Sequence, residues 1–182
     1  MIWNRLRYVL SPQFDIYEQV AKLVRGRVAD IGCGTGFGMH LYMQNASTIT
    51  GYELDERAIS FAERAFPMPK MIFAHGNIQK GIDDTPYNWI SMIDVIEHLK
   101  DPKSALMNVK KILATNGTFV CSTPNRLSRY RKSECHVQEF SPKEFETLLK
   151  TAFVNVSLRD HKMEPLTHKY ENPMIAVCRN EI

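Results

Sequence analysis

The chain predicts an α/β fold: a seven-stranded, mostly parallel sheet with helices on both faces and an antiparallel C-terminal hairpin. Three observations predict it. Short apolar strands alternate with amphipathic helices through most of the 182 residues, the pattern of a parallel sheet joined by crossover helices. A glycine cluster, VADIGCGTGFG (28–38), directly follows the first strand and opens a helix. That turn falls at the ligand-binding end of such sheets. The last two strands have no helix between them, so they pair antiparallel.

Each element has its own signal. Ser11-Pro12 pairs an N-cap with a first-turn proline. Phe14, Tyr17, Val20, Ala21 and Val24 then share one helical face as far as Arg25. RVADI (27–31) is the first strand, and GMHLYMQN (38–45) begins the helix after the glycines. STITGYE (47–53) is the second strand, and ERAISFAERAF (56–66) is a helix that must stop before Pro67 and Pro69. KMIFAHG (70–76) and the more apolar YNWISMIDV (87–95) are the third and fourth strands. Asp101-Pro102 repeats the cap-plus-proline signal. Its helix buries Ala105, Leu106, Val109, Ile112 and Leu113, and is expected to end near Asn116-Gly117. GTFVCST (117–123) is the fifth strand. Ser141, Pro142 and Glu144 form a capping box with a first-turn proline, opening a helix to about Lys150. AFVNVSLR and PMIAVCR are the last two strands.

No repeat, low-complexity tract or linker divides the chain. The expectation is one domain over 1–182, with an N-terminal helical segment (1–26) and a core (27–182). The one oversized connection is PNRLSRYRKSECHVQEF (124–140), and loops of that length in compact domains are commonly functional. Apolar residues make up 44% and charged residues 24%, a composition ordinary for soluble globular proteins. A net charge of +3 is too small to imply a nucleic-acid binder, though it leaves RNA open. No apolar run approaches the roughly 18 residues of a membrane span, so no membrane insertion is expected. The N-terminal MIWNRLRYVLSPQF lacks a small-residue cleavage site and reads as a terminal segment rather than a signal peptide. Cys33, Cys121, Cys135 and Cys178 are scattered. They suit reduced thiols in a cytoplasmic protein better than a disulfide framework or a zinc cluster.

The glycine turn reads GxGxG, with Gly32, Gly34 and Gly36, not the GxGxxG that receives a pyrophosphate on a helix N-terminus. Asp30, two residues before the first glycine, would repel a pyrophosphate and suits a cationic ligand carrying an amino group and a sulfonium. Glu53, at the end of the second strand, lies where an acidic residue accepts hydrogen bonds from ribose hydroxyls. Asn77, after the third strand, is placed to read an adenine amino group. The ligand that fits these positions is S-adenosylmethionine.

Taken in order, VADIGCGTGFG, GYELDE, HGN, SMIDVIEHLKDP, CSTPNR and HVQEFSPKEF resemble the motifs of class I S-adenosylmethionine-dependent methyltransferases. The resemblance spans roughly residues 25 to 178. It implies the Rossmann-like version of the fold above, and it adds Cys33, Leu54, Ile78 and Ile93 to the expected cofactor-binding positions. The acidic residue common in the family after the third strand is Asn77 here.

Asp94, Glu97 and His98 follow the fourth strand at i, i+3, i+4. If Asp94 opens a helical turn, all three project from one side. His136, in the long loop, is expected to fold over the same opening. Two carboxylates and two imidazoles suit a borderline divalent ion such as Mn²⁺, Fe²⁺ or Zn²⁺, with Mg²⁺ preferring the oxygens. The segment resembles the acidic-x-x-Glu-His of ubiquinone-pathway O-methyltransferases. It also resembles the Glu-x-x-Glu-His plus later His that binds metal in small-RNA 3′-terminal 2′-O-methyltransferases. Asp94 is one methylene shorter than the glutamate at that place. Two alternatives stay open: a metal-free site with Asp94 or His98 as general base, and a purely structural cluster, with His136 capping the helix after it.

The expected activity is methyl transfer to an oxygen of a small molecule with vicinal oxygens, which a divalent ion chelates and acidifies. The alternatives are an RNA ribose acceptor and a methyltransferase-fold protein that binds the cofactor but serves as an interaction module. A nicotinamide oxidoreductase is disfavoured by GxGxG and Asp30. Arg126, Arg129, Arg131 and Lys132 around Tyr130 either grip an anionic substrate or form a solvated loop. Trp3, Tyr8 and Trp89 either line an aromatic acceptor pocket or pack in the core. With no long insertion after the fourth or fifth strand, the acceptor pocket is thinly covered. That favours a large substrate on an open face or a lid completed by a second subunit of a homodimer.

Overall fold

The computed structural model describes residues 12–129 and 133–179. Trp3, Tyr8, the Ser11 cap, Tyr130, Arg131 and Lys132 lie outside the described residues. The chain forms α1 (Pro12–Leu23), β1 (Gly26–Ile31), α2 (Phe37–Tyr42), β2 (Ala46–Glu53), α3 (Glu56–Ala65), β3 (Met71–His75) and β4 (Tyr87–Ile93). A 3₁₀ turn (Ile96–His98) precedes α4 (Pro102–Ile112), β5 (Leu113–Thr123), α5 (Pro142–Leu149), β6 (Asn155–Arg159) and β7 (Met174–Arg179).

The seven strands form one sheet in the order β3-β2-β1-β4-β5-β7-β6. β3 through β5 run parallel, and β7 pairs antiparallel with both β5 and β6. This is the expected mostly parallel sheet with an antiparallel C-terminal hairpin. Two apolar cores cover its faces. On one face, Val28, Ile49, Trp89 and Ile93 pack with Ile16 and Val20 of α1, Val24 just after it, and Met39 and Tyr42 of α2. On the other, Ile90, Met92, Phe119 and Cys121 pack with Leu106 and Val109 of α4 and Phe145 and Leu149 of α5. Trp89 therefore belongs to the core and does not line an aromatic acceptor pocket; it is 7% exposed.

The capping chemistry forms as read. The Asp101 carboxylate accepts from the Ser104 N–H, and Ser141 and Glu144 complete a reciprocal capping box. Several boundaries differ, two of them by a turn or a conformation that has a clear cause. α4 stops at Ile112, four residues before Asn116. Leu113 takes φ −86°, ψ 130° and its backbone pairs with Tyr87 of β4, so strand pairing replaces another helical turn. β4 stops at Ile93 instead of residue 95, because Asp94 adopts φ +52°, a left-handed conformation that no strand accommodates.

Candidate active site

Strand order reverses between β1 and β4, and in parallel sheets the crevice at that reversal takes the ligand. The glycine turn lines it. Gly32, Gly34 and Gly36 have φ of +72°, +53° and +78°, a region that L side chains avoid. Their surroundings differ. A methyl group at Gly32 would meet Val95, and one at Gly36 would lie 2.6 Å from the Phe73 ring; one at Gly34 would meet nothing within 4 Å among the described residues. Gly34 thus turns bare backbone toward open space. That space is a cleft of about 300 Å³, walled by Gln13, Phe14 and Tyr17 of α1, by the glycine turn and by Ile93 and Asp94. A cavity of this size is in the range of small-ligand sites.

Asp30 sits wholly buried at the end of β1. Ser91 Oγ donates to its Oδ1 at 2.6 Å and Tyr17 Oη to its Oδ2 at 3.1 Å. Burial pushes its pKa to about 7 against the pull of those two hydrogen bonds. A cation in the cleft would favour the ionised form. Cys33 is buried beside it, and burial raises its thiol pKa far above the usual range, so it remains an uncharged thiol. Glu53 spans the turn: its Oε2 accepts from the Gly34 N–H at 2.9 Å, and its Oε1 accepts from Leu54 and Asp55 at 2.6 and 3.1 Å. A carboxylate has about four acceptor positions, so ribose hydroxyls would share or displace these amides. Leu54 is exposed beyond the strand end and Ile78 is buried. Asn77 Oδ1 accepts from the Gln79 N–H at 3.0 Å, holding the loop after β3.

After β4 the helical turn on which a shared face of Asp94, Glu97 and His98 depended does not start at Asp94. Asp94 is left-handed, not helical, and only Ile96–His98 form a turn. Asp94 Oδ1 accepts from Ser122 Oγ at 2.6 Å. Burial raises its pKa, opposed by hydrogen bonds from Ser122 and Gln13 and by His136 and His98. Glu97 is 1% exposed. Thr123 Oγ1 donates to its Oε2 at 3.1 Å, while its buried Oε1 has no partner among the described residues. Desolvation first and the Asp94 charge second lift its pKa to about 8.

His136 does fold over this opening. Its ring lies edge-on to that of His98, with centroids 5.0 Å apart. The Glu97 carbonyl accepts from the N–H groups of Val137 and Gln138 and fastens the loop there. One ligand atom from each of Glu97, His98 and His136 lies within 4.8 Å of the others, and Asp94 stands outside that set. His98 Nδ1 is 3.0 Å from the Cys135 carbonyl, which only accepts, so this nitrogen carries the proton and Nε2 the lone pair. His136 Nδ1 lies 2.9 Å from Glu139 Oε1. One carboxylate and two imidazoles arranged in this way can hold a divalent ion.

Arg126 binds both oxygens of Glu144 at 2.7 Å, which fixes the start of α5 and takes it out of the basic loop's set of anion contacts. Arg129 is exposed. Sequence reasoning missed Ser91, Ser122, Thr123 and Glu139, and took Tyr17 only as core. The available signal was polar hydroxyls at inward positions of otherwise apolar strands, in WISMI and FVCST.

Comparison with known proteins extends this picture. A family model described as a methyltransferase domain matches residues 3–157. A probable S-adenosylmethionine-dependent methyltransferase of Mycolicibacterium smegmatis is 28% identical over 144 residues, 75% of this chain and 55% of that protein. A ubiquinone biosynthesis O-methyltransferase of Maricaulis maris is 26% identical over 110 residues, 57% of this chain and 42% of that one. The chain spans about half the length of the curated relatives it matches first. In fold it resembles the crystal structure of an S-adenosylmethionine-dependent methyltransferase from Clostridium acetobutylicum. The TM-score is 0.80 at 15% identity, covering 100% of this chain and 97% of the other.

Proposed function

The chain belongs to the methyltransferase domain family of the class I S-adenosylmethionine-dependent superfamily, and from that premise we propose that it methylates one oxygen of a small molecule bearing vicinal oxygens, with a divalent ion at Glu97, His98 and His136. The cofactor, when bound, supplies an electrophilic methyl group on a sulfonium. The chain's own residues hold it. Gly34 admits its methionine part, Asp30 supplies negative charge beneath the turn, Glu53 takes the ribose hydroxyls, and Asn77 and Ile78 flank the base. Methyl transfer is an in-line displacement, so orientation of donor and acceptor supplies much of the rate.

The observation that carries the metal reading is Glu97. It is a buried carboxylate with one oxygen that has no partner among the described residues, in a group of three whose ligand atoms lie within 4.8 Å. An orphaned buried acceptor is costly, and a cation removes that cost. A divalent ion there would supply Lewis acidity to an acceptor hydroxyl. Three protein ligands leave room for two acceptor oxygens, and exposed His98 marks the open side. Asp94, just after β4 and beside the cleft, is placed to take the acceptor proton, and burial raises its pKa above the usual carboxylate value, which makes it a stronger base. The ubiquinone O-methyltransferases among the relatives support oxygen as the methylated atom. An RNA ribose acceptor draws less support, because Arg126 is engaged with Glu144.

The test is a calorimetric titration of Mn²⁺ into protein saturated with S-adenosylhomocysteine, with His136→Ala alongside, followed by methyl transfer from labelled cofactor to catechols and to RNA 3′ ends. One equivalent of Mn²⁺, bound at least tenfold more weakly by the variant, and labelled catechol are expected. No Mn²⁺ uptake by the intact protein would sink the metal reading. Labelling of RNA alone would replace the small-molecule acceptor.

A further inference from the structure

The long loop before α5 does more than deliver His136. It also touches the outer nitrogen of both imidazoles. Cys135, immediately before His136, presents its carbonyl to His98 Nδ1 at 3.0 Å, and Glu139, one turn after it, presents Oε1 to His136 Nδ1 at 2.9 Å. The two contacts differ in strength. The Cys135 carbonyl lies on an exposed residue and makes a neutral hydrogen bond. The side chains of His136 and Glu139 are only 9% and 8% exposed, so the carboxylate contact is shielded from water and charge-assisted.

We propose that Glu139 is a positioning residue: its carboxylate holds the proton of His136 on Nδ1 and so aims the Nε2 lone pair at Glu97 and His98, building the metal site before any ion arrives. This rests on the metal reading above. Its physical basis is separate. A free imidazole distributes its proton between the two nitrogens, and only the partner of one nitrogen decides which form persists. In metal sites such a carboxylate-histidine pair fixes the ring and raises its basicity. Here the pair is fixed by the fold as well. The N–H groups of Val137 and Gln138, between the two residues, are both bound to the Glu97 carbonyl. The His136 backbone N–H donates to the Ser133 carbonyl at 3.2 Å. Ring, carboxylate and third ligand are thus tied to one another within a few residues of chain.

The test compares the intact protein with Glu139→Ala and Glu139→Gln. Nitrogen-15 NMR of the metal-free proteins reads the His136 tautomer directly, and Mn²⁺ calorimetry reads the site. The intact protein is expected to show His136 protonated on Nδ1. Glu139→Ala should shift the proton toward Nε2 and weaken Mn²⁺ binding roughly 10- to 100-fold. Glu139→Gln, whose amide oxygen still accepts, should restore the tautomer and most of the affinity. Matching far-ultraviolet spectra and melting curves for the three proteins exclude a general folding defect. An unchanged tautomer in Glu139→Ala would overturn the assignment to Glu139. The expected tautomer pattern without Mn²⁺ uptake by any of the three would overturn only the metal reading on which it rests.

Discussion

Burial holds the Asp30 carboxyl protonated up to near neutrality, against hydrogen bonds from Ser91 and Tyr17. Its carboxyl titrates at about 7, so between pH 6 and 7 a good part of it is protonated. A cationic cofactor favours the ionised form and lowers that value. Binding near pH 6.5 should therefore release protons, and affinity should rise with pH until about 7 and then level off. Calorimetric titrations with S-adenosylmethionine in two buffers of different ionisation enthalpy measure this; Asp30→Asn should abolish the buffer dependence, and persistence of it would place the released proton elsewhere. Gly34 and Gly36 separate binding from folding. Both need positive φ, costing an alanine about 1–2 kcal/mol. At Gly34 the added methyl enters open cleft, so Gly34→Ala should fold with a modest loss of stability and lose at least tenfold in S-adenosylhomocysteine affinity. At Gly36 the methyl strikes Phe73, so Gly36→Ala should lower the melting temperature more than Gly34→Ala does.

α1 carries two jobs on one short helix. Ile16 and Val20, with Val24 just after the helix, are fully buried against the sheet, while Gln13, Phe14 and Tyr17 wall the cleft. The Phe14 and Phe37 rings meet at 5.8 Å and those of Tyr17 and Tyr42 at 5.7 Å, locking α1 to the helix that leaves the glycine turn. Ile16→Ala should cost about 2–5 kcal/mol by urea unfolding. It should also weaken cofactor binding more than a matched truncation on the opposite face, such as Leu149→Ala; equal weakening would show that α1 has no special hold on the cleft. The helical face of α1 was legible from spacing, though Ile16, the first residue of its buried stripe, went uncounted. The caps of α4 and α5 were legible because proline and a short acceptor mark a helix start by local chemistry alone. The α4–β5 boundary was not, since pairing of Leu113 with Tyr87 decides it. Nor was the turn after β4: the spacing of Asp94, Glu97 and His98 suits a helix, and only the left-handed Asp94, held by Ser122 from a neighbouring strand, breaks it. The glycine turn and the histidines were readable as residues; the hydroxyls that hold the carboxylates depend on strand register, which spacing does not reveal.

Across the whole molecule, the buried acids Asp30 and Glu97 cluster at the C-terminal ends of the central strands β1 and β4. Asp30 and Glu97 titrate at about 7 and 8, above their ordinary values, so between about pH 4 and 8 the folded chain keeps protons that the unfolded chain has released. Stability from these groups is complete below pH 4 and is lost as pH rises to 8. Glu144, lowered to about 2 by Ser141 and Arg126, acts oppositely and loses its contribution as pH falls below about 4. The ligand-free protein should therefore unfold at a lower urea concentration at pH 8 than at pH 5, and the gap should narrow in Asp30→Asn; a higher midpoint at pH 8 would contradict this. One further consequence follows from the sheet order. β7, Met174–Arg179, follows β6 in the chain but sits between β5 and β6, so the last strand among the described residues is an interior one. While a ribosome still holds residues 174–179, β6 has no neighbour and β5 is an open edge, although the whole crevice, from Asp30 to His136, has already emerged. The binding half of the molecule is thus synthesised well before the sheet that supports it can close, and a nascent chain stalled at that point would be the form most exposed to aggregation.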